Sequence, residues 1–593
     1  MTGDQTTVFV LLGAVMAMFV WGRFRYDLVA FAGLMAAVLL GLLPVKNAFL
    51  GFSSSAVITV AAVLIVSRGL SVSGAIDRIA HIVVPPTKSL MLQVASLSGF
   101  AAILSAVMNN VGALALLMPA TIDAAKKVGR SPSLLLMPLS FGSILGGLVT
   151  LIGTPPNIVI ASYREEALGA PFTMFDFSPV GFTTAFVGVL FLATFGWRLL
   201  PDERKNVSAS DELLDIDSYV SEVIVPEGSF AIGQMIKDLD EYAIEADVLI
   251  AGLIRNHRRI LRPGRRTLVE AKDVIILEAG PEELDKFAHK LELEIKGGVG
   301  QSKKLFTSDD VTLIEAVVSA DSRFIGRIIG DLRLRSRYEL NLLGISRQGS
   351  PIRKRLHKVS VHAGDILLFQ APIDELTIIL PRLGLLPLVE RDISIGKRGH
   401  ALLASAFLIT AIAAASFGVL DLTIAFALAA GAMVVSNIVP MRDMYESIDW
   451  PVIVLVGAMI PLGGTLESTG GTQLIANWVL IMGDGLPAAV VLTIMFIVTM
   501  TLSDVMNNVA TAVVMAPVAI SIAKSLEVNP DSFLMAVAVG ASCAFLTPIG
   551  HKNNALVMGP GGYRFGDYWR MGLPLEIIIT LVAVPSILYF WPL

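Results

Sequence analysis

The stretch VMNNVGALALLMP, residues 107–119, recurs as VMNNVATAVVMAP at residues 505–517. Each copy sets two consecutive asparagines between two apolar segments. An asparagine at membrane depth is costly unless protein or a water-filled cavity surrounds it. The recurrence therefore predicts a duplicated chain, in which each half carries a helical hairpin that is interrupted at its asparagines.

Other landmarks repeat in the same order, at separations of 391 to 398 residues. The matching pairs are Asp27-Leu28 with Asp421-Leu422, Gly74 with Gly470, Thr154-Pro155 with Thr547-Pro548, and Asp176…Gly181 with Asp567…Gly572. Five landmarks in one order at nearly one separation are unlike a chance match, so we interpret them as an internal duplication.

Composition and charge divide the chain into three blocks. The 593 residues are 54% hydrophobic and 16% charged, with a mean hydropathy of +0.72. Residues 1–200 hold 18 of the 95 charged side chains, residues 401–593 hold 16, and the middle block holds 61. Two membrane blocks therefore flank a water-soluble block. The net charge of −5 gives no reason to expect nucleic acid as a partner, and a single cysteine excludes an internal disulfide.

The apolar stretches predict the membrane spans. A helix needs about 20 apolar residues to cross the hydrocarbon core. Stretches of roughly this length cover residues 6–22, 27–45, 56–72, 134–161, 180–198, 401–419, 421–440, 451–466, 532–549 and 573–592. Residues 76–125 and 473–523 contain the asparagine pairs and are expected to form hairpins that enter the membrane and return.

Basic residues near the span ends predict the orientation. Arg23, Arg25, Lys126 and Lys127 place their loops in the cytoplasm under the positive-inside rule. Both chain termini are then outside, the central block is inside, and the second half is inverted relative to the first. Inverted repeats with interrupted helices are typical of secondary transporters that bind substrate near the bilayer midplane. We expect a multi-pass protein of the plasma (inner) membrane.

The central block reads as two similar α+β modules of about 80 residues. In each, an alternating strand leads into an amphipathic helix, and a last strand is entered through Lys272-Asp273 or Gly364-Asp365. The predicted domains are a first transmembrane repeat, two central modules and a second transmembrane repeat, at residues 1–200, 209–297, 305–392 and 398–593.

The two asparagine pairs, Asn109-Asn110 and Asn507-Asn508, are the first candidate for a binding site. A helix broken inside the membrane exposes carbonyl groups at one half-helix end, which suit a cation, and N–H groups at the other, which suit an anion. The alternative is that the asparagines only cap the broken helices. Their recurrence in both halves favours binding.

The proline-containing breaks are the second candidate. Proline removes a hydrogen-bond donor and clashes with the preceding turn, so an apolar helix breaks there. The side chains expected to reach a ligand are Thr154, Asn157, Thr511, Thr547, Asn553 and Asn554. The alternative is a helix kink whose polar side chains are satisfied within the protein.

Two charged residues leave their roles open. Lys552 is able to pair with an anion or to belong to a cytoplasmic loop, and Asp504 is able to bind a proton or cation or to cap the hairpin. No phosphate-binding loop and no His/Cys/carboxylate cluster with metal-ligand spacing occurs in the sequence, so we expect neither ATP use nor enzymatic activity.

The ordered combination of these motifs resembles the divalent anion/sodium symporters, within the wider ion transporter superfamily. That family places Ser-Asn-Thr at the tips of two re-entrant hairpins, ten residues before a proline. Here Asn109-Asn110-Val111 stands ten residues before Pro119, and Asn507-Asn508-Val509 stands ten before Pro517. The central modules resemble the C-terminal domains of potassium-conductance regulators (TrkA-C type), which one branch of the family carries in this position.

The resemblance implies a cation-coupled symporter of a small divalent anion, with sulfate first and dicarboxylate second. Sodium is implied as the coupling ion near Asn110 and Asn508, with no other cofactor. A homodimer in membrane lipid is implied too, with a nucleotide or other cytosolic effector at the central modules. The motif threonines are replaced by Val111 and Val509, which weighs against dicarboxylate. The alternatives are a sodium/proton antiporter, a metalloid efflux carrier of the same superfamily, or a channel or sensor. On this basis Asn110 and Asn508 are expected to matter more for transport than Asp504.

Overall fold

The computed structural model describes residues 2–21, 24–74, 89–201, 398–471, 474 and 486–593 of the apolar blocks. In the central block it describes residues 220–388 except 247, 256–257, 261–265, 279–280, 297–311, 320–321, 333, 335–337, 339, 348–349, 353–355, 372–378 and 381–382. The chain forms two compact units, residues 1–207 with 390–593, and residues 208–389. The predicted domain boundaries at 209, 297, 305 and 392 lie outside the described residues.

The first apolar block contains eight described α-helices. They are α1 (Gly3–Trp21), α2 (Tyr26–Leu39), α3 (Ser55–Val72), α4 (Leu90–Ser105), α5 (Asn110–Lys127), α6 (Ser133–Gly146), α7 (Pro155–Leu168) and α8 (Ser178–Thr194). Short 3₁₀ helices cover Val45–Asn47, Leu50–Ser53 and Gly196–Leu199. Helix starts follow local capping chemistry: the Ser54 hydroxyl accepts a hydrogen bond from Val57 N at the start of α3.

The central unit contains three described helices and ten strands. The helices are α9 (Ile236–Ala246), α10 (Pro281–Leu291) and α11 (Ile329–Leu332), with a 3₁₀ helix at Leu356–Lys358. The strands are β1 (Val220–Ile224), β2 (Leu249–Arg255), β3 (Arg258–Ile260), β4 (Val274–Glu278), β5 (Glu294–Lys296), β6 (Thr312–Val318), β7 (Asn341–Arg347), β8 (Ser350–Pro351), β9 (Ile366–Ala371) and β10 (Leu385–Pro387).

The second apolar block contains nine described helices. They are α12 (Arg398–Ser416), α13 (Leu422–Val435), α14 (Met441–Ser447), α15 (Trp450–Ser468), α16 (Ala488–Val505), α17 (Asn508–Ser525), α18 (Pro530–Ser542), α19 (Lys552–Met558) and α20 (Tyr568–Phe590). A 3₁₀ helix covers Phe565–Asp567. Asp421 caps α13 by accepting from Thr423 N, and Asn529 caps α18 by accepting from Asp531 N.

Among the described residues, four helical segments are each long and apolar enough to cross a membrane. They are Val45–Val72, Ala488–Val505, Asn508–Ser525 and Phe565–Phe590. A fifth is counted if α14 and α15, bent by 52° at their junction, form one span. The apolar segments within α1, α2, α4, α5, α6, α8, α12 and α13 are shorter, at 10–17 residues.

Two of the predicted spans, 134–161 and 532–549, are not continuous helices, in keeping with the breaks predicted at Pro155 and Pro548. α6 ends at Gly146 and α7 begins at Pro155, while α18 ends at Ser542 and α19 begins at Lys552. The two breaks, residues 147–154 and 543–551, have non-helical backbone. Proline favours the first turn of a helix, where its missing N–H is not needed, so α7 starts at Pro155.

Backbone conformation supports the correspondence between the halves. Gly74 follows α3 with a φ of 71°, and Gly470 follows α15 with a φ of 73°. Gly129 follows α5 with a φ of 68°, and Glu527 follows α17 with a φ of 54°. The left-handed conformation ends the same helix in both halves, although glutamate is sterically disfavoured in it.

The helices of the two halves pack reciprocally. α2 packs on α15 and α13 packs on α3, so each half contributes the same kind of helix to the other. α7 packs on α17 and α18, while α19 packs on α5 and α6. The second part of each broken helix is therefore placed against the hairpin of the opposite half. This exchange brings both breaks and both hairpin tips into one compact unit.

The central unit consists of two five-stranded antiparallel sheets with one topology. The strand orders are β3-β2-β4-β1-β5 and β8-β7-β9-β6-β10, which match strand for strand. Each sheet has a register shift at the same point of its second strand, between Ile250 and Gly252 and between Leu342 and Gly344. Each has its own buried core. The fold class predicted from the sequence is confirmed: a polytopic helical membrane protein with two small α+β modules in its middle.

A buried ion pair recurs in both modules. Arg255 binds both carboxylate oxygens of Asp273, at 2.9 and 2.7 Å, and Arg347 binds both oxygens of Asp365, at 2.8 Å each. The hydrogen bond from each guanidinium to its aspartate raises the pKa of the arginine above its ordinary value. The pair ties the end of the second strand to the turn that enters the last long strand.

Candidate functional site

Asn110 lies at the tip of the first hairpin, and its side chain is only 2% exposed. The Ser105 hydroxyl donates to its Oδ1, and its Nδ2 lies 3.2 Å from Nε2 of His551. Its main-chain oxygen accepts from Ser143 Oγ at 2.8 Å and from Asn553 Nδ2 at 3.2 Å. These five residues, called the Asn110 cluster below, join both halves of the chain around one buried amide.

The Asn110 cluster requires a glycine opposite it. A Cβ atom on Gly147 would lie 2.5 Å from Oδ1 of Asn110. Such a contact is closer than van der Waals packing allows. Only glycine at position 147 therefore leaves room for the Asn110 amide beside the break.

Three other asparagines at the hairpin tips are more open. Asn109, Asn507 and Asn508 are half-buried. Asn109 Oδ1 accepts from Val111 N at 3.0 Å, and both Asn507 and Asn508 accept from Val509 N at 2.9 Å. Within the described part of the chain, their Nδ2 groups donate to no residue. These three side chains, the open amides, therefore cap α5 and α17 with their oxygens and leave N–H donors uncommitted.

Asn157 and Asn554 hold the two helix breaks in shape. Asn157 Nδ2 donates to Gly147 O at 3.3 Å and to Thr150 O at 2.9 Å. Asn554 Nδ2 donates to Ala544 O at 3.0 Å and to Thr547 O at 3.1 Å. The donors of both predicted ligand residues are thus used inside the protein, where they satisfy carbonyl groups that a broken helix leaves without partners.

Two threonine hydrogen bonds at the breaks correct one predicted correspondence between the halves. Thr150 Oγ1 donates to Ala106 O, and Thr547 Oγ1 donates to Asp504 O, both at 2.5 Å. Thr547 is therefore the counterpart of Thr150, and not of Thr154 as the Thr-Pro match predicted. Thr154 corresponds instead to His551, since each is the N-cap residue of the helix after its break.

Two buried oxygens on uncharged side chains that were predicted as ligands have no hydrogen-bond partner among the described residues. They are Oγ1 of Thr154 and Oδ1 of Asn553. Both side chains are at most 1% exposed. A buried polar atom without a partner is rare and suggests an unfilled ligand position.

The remaining predicted residues make local contacts. Thr511 Oγ1 donates to Asn507 O at 3.2 Å. Thr547 Oγ1 also accepts from Ile549 N and Gly550 N, at 3.2 Å each. Thr511 and Thr547 therefore stabilise the second tip and the second break.

Lys552 is neutralised by a carboxylate. Its Nζ lies 2.7 Å from Oδ2 of Asp449, and both side chains are about one-quarter exposed. The sequence alone did not decide whether Lys552 pairs with an anion or belongs to a cytoplasmic loop. An anion near the breaks would have to compete with Asp449 for this ammonium group.

Asp504 does not cap its own hairpin. Its Oδ1 accepts from Leu546 N, 42 positions along the chain in the second break, at 2.8 Å. Glu576 of α20 accepts from the neighbouring Phe545 N at 3.3 Å. Two acidic side chains therefore meet at this break, and the sequence had indicated only one of them.

Four residues that contribute to the site were not predicted from the sequence: Ser105, Ser143, Thr150 and Glu576. His551 was predicted to lie in the second break but was not predicted to be a ligand. Thr150 and His551 could have been found by aligning the breaks at a separation of 397, which matches Gly153 with Gly550 and Asn157 with Asn554. Ser143 and Glu576 carry no sequence signal, because only packing brings them to the breaks.

The Asn110 cluster contains the kinds of oxygen atom that hard cations prefer as ligands. Such cations take hydroxyl, amide and main-chain oxygens as ligands, and Asn553 Oδ1 has no competing donor among the described residues. Ser105, Asn110 and Asn553 would hold a sodium ion here only if the hydrogen bonds that the two Asn110 oxygens accept from Ser105, Ser143 and Asn553 gave way to the ion. Among the described residues, no group of three or more His, Cys, Asp or Glu side chains forms a transition-metal site.

Comparison with known proteins places the chain in a family. The citrate transporter family matches residues 16–527 and 473–593. An uncharacterized transporter of Synechocystis sp. is 32% identical over 96% of this chain and 94% of its own length, and the uncharacterized transporter YfbS of Escherichia coli is 29% identical over the whole of both. Sodium/sulfate cotransporter 2 of Chlamydomonas reinhardtii is 24% identical over 46% of this chain and 32% of its own length. The chain belongs to the citrate transporter family.

Proposed function

We propose that this transporter is a sodium-coupled symporter of a small divalent anion, with sulfate as its first substrate. The observation that carries the proposal is the set of open amides. Asn109, Asn507 and Asn508 sit at the N-termini of α5 and α17 with N–H groups uncommitted, while Lys552 is already paired with Asp449. Helix N-termini and neutral N–H donors suit an anion. The name of the Chlamydomonas relative supports sulfate and sodium.

The proposal assigns the two ions to different parts of the site. Sodium is held by oxygens of the Asn110 cluster, and sulfate by the open amides and the hydroxyl of Thr154. The positive charge of sodium then offsets part of the anion's charge in a region where basic side chains are scarce. Asn157, Asn554, Thr511 and Thr547 position the breaks and are not assigned as ligands.

Uptake of labelled sulfate into proteoliposomes tests the function directly. An inward sodium gradient should drive accumulation, whereas an equal choline gradient should not, because choline is too large for the oxygen cluster. Unlabelled sulfate should compete better than succinate or citrate, since the motif threonines are absent. The control is protein-free liposomes under the same gradients.

Two other outcomes would replace the proposal. Accumulation of labelled citrate or succinate without sulfate would make the substrate a carboxylate, as the family description suggests. Exchange of sodium for protons across the membrane in the absence of any anion substrate would make the protein an antiporter.

The central modules are proposed to lie in the cytoplasm and to regulate transport. The basic residues at the span ends support this side, and the soluble block joins the two repeats. We propose further that the protein forms a homodimer in the membrane and that a nucleotide or another small cytosolic effector binds the modules.

Deleting residues 209–392 and inserting a short linker should leave uptake measurable but abolish its response to cytosolic metabolites. Metabolites supplied from inside right-side-out vesicles should alter the rate of the full chain, and metabolites supplied outside should not. An unchanged response after the deletion, or a response from the outer side only, would contradict the regulatory role or the orientation.

A further inference from the structure

Two acidic side chains are buried together at the second helix break. Asp504 at the end of α16 is 2% exposed, and Glu576 of α20 is 4% exposed. They accept from the main-chain N–H groups of two consecutive residues, Leu546 and Phe545. The two carboxyl groups lie close enough for their charges to act on each other. We call Asp504 and Glu576 the carboxyl pair.

The carboxyl pair exists in one half only. Equivalent hydrogen bonds from Thr150 and Thr547 match Ala106 with Asp504. A Cβ on Gly181 would press on Leu148 O, and one on Gly572 on Phe545 O, which matches α8 with α20 and hence Ala185 with Glu576. Two alanines of the first half are therefore replaced by two buried acids that bind consecutive main-chain N–H groups. A purely structural break of this shape forms without them.

No basic side chain in the part of the chain that the structure describes forms an ion pair with Asp504 or Glu576. Among the described residues, Asp504 is the charged group that acts on Glu576. The Cys543 thiol is the third titratable group that faces the pair. Of the other titratable groups on the helices packed against α16, Asp531 binds Arg164 and the Tyr568 hydroxyl donates to Asn554 O, while Lys524, Arg570 and Tyr589 are exposed. Two adjacent carboxylates cannot both remain charged in such surroundings, because repulsion and desolvation add.

A proton fits the pair better than a metal ion does. Asp504 Oδ1 and Glu576 Oε1 are taken up by N–H donors, so few oxygens remain for a cation that needs several. Asp504 Oδ2 is buried and has no donor among the described residues. A hydroxyl on Glu576 would supply that donor. Asp504 has the shorter N–H bond, 2.8 Å against 3.3 Å, so the negative charge resides on Asp504 and the proton on Glu576.

We propose that Asp504 and Glu576 form a proton-binding site that holds one exchangeable proton and sets the conformation of the second break. With the proton bound, both acids brace Phe545 and Leu546. When it leaves, two negative charges repel and the break loosens. The same break carries His551 and Asn553 of the Asn110 cluster, so the proton is linked to the ion site. The link to transport rests on the proposed function, whereas the proton site itself does not.

Infrared spectroscopy tests the proton site without any substrate. The purified chain in detergent should show the carbonyl stretch of a buried carboxylic acid at neutral pH, and this band should disappear as the pH is raised. The neutral, nearly isosteric double variant Asp504→Asn/Glu576→Gln should lack the band. Asp567→Asn, which changes a buried acid outside the pair, should retain it. A band of unchanged intensity in the double variant, or no band in the unmodified chain, would overturn the proposal.

A pH-sensitive dye inside proteoliposomes tests the link to transport. Sulfate influx should be accompanied by proton movement in the unmodified chain, and the double variant should show only the movement of protein-free liposomes. Counterflow of labelled sulfate gives the flux to which both are normalised. Equal proton movement per sulfate in the two proteins would overturn the link. Absence of sulfate flux in the unmodified chain would instead refute the proposed function and leave the infrared result as the test of the site.

Discussion

Replacing Asn110 by alanine is expected to lower sodium-driven sulfate uptake by about ten- to a hundredfold. A hydrogen bond to a charged group contributes about 1.5–3 kcal/mol, and each 1.4 kcal/mol changes an affinity about tenfold. The amide also contacts Ser105 and His551 inside the cluster, so its loss leaves their polar atoms without a partner.

The Asn110 and Asn508 variants should differ in which ion they bind more weakly. If Asn110 holds sodium, Asn110→Ala should raise the sodium concentration needed for half-maximal uptake. Asn508→Ala removes an open amide that accepts only from its neighbour Val509, so it should raise the half-saturating sulfate concentration instead. Asn508→Ala should melt close to the unmodified chain, whereas Asn110→Ala should melt lower because it leaves buried polar atoms without a partner, so uptake is normalised to the amount of folded protein. Equal effects on both ions in both variants, or full activity of Asn110→Ala, would contradict the separate placement of the ions.

Asn157 and Asn554, the two side chains that clamp the helix breaks, are each expected to destabilise the membrane unit when they are replaced by aspartate. Asn157→Asp and Asn554→Asp keep the size of the side chain but replace an N–H₂ group that donates to two carbonyls. Each carbonyl left without a donor costs roughly 1–3 kcal/mol, and the new carboxylate repels both. We expect a loss of about 2–6 kcal/mol per variant, seen as a lower melting temperature in detergent micelles.

Asn109→Asp is the matched control for the clamp variants. The chemical change is the same, but Asn109 accepts from Val111 N at the start of α5 and its Nδ2 donates to no described residue. A carboxylate suits a helix N-terminus, so this variant should melt close to the unmodified chain. Similar melting temperatures for all three variants would show that the clamps do not hold the breaks.

Much of the architecture followed from the sequence because it depends on local patterns. Apolar length predicts a helix in a membrane wherever it occurs, and the repeated VMNN motif predicted two interrupted hairpins, which α4–α5 and α16–α17 form. The charge distribution located the central modules, and their strand pattern gave Lys272-Asp273 and Gly364-Asp365 as entries to β4 and β9. Each of these features is decided within a few residues of chain.

The tertiary structure alone decided which polar groups meet. Asp504 and Glu576 are 72 residues apart, Lys552 and Asp449 are 103 apart, and Asn110 and Asn553 are 443 apart. The sequence marked seven asparagines of the tips and breaks as candidate ligands, yet packing buries Asn110, leaves Asn508 open, and uses Asn157 and Asn554 to close the breaks. Helix periodicity records which face is apolar but not which partner covers it. The exchange of α7 and α19 between the halves determines those partners, because it carries each broken helix onto the hairpin of the other repeat.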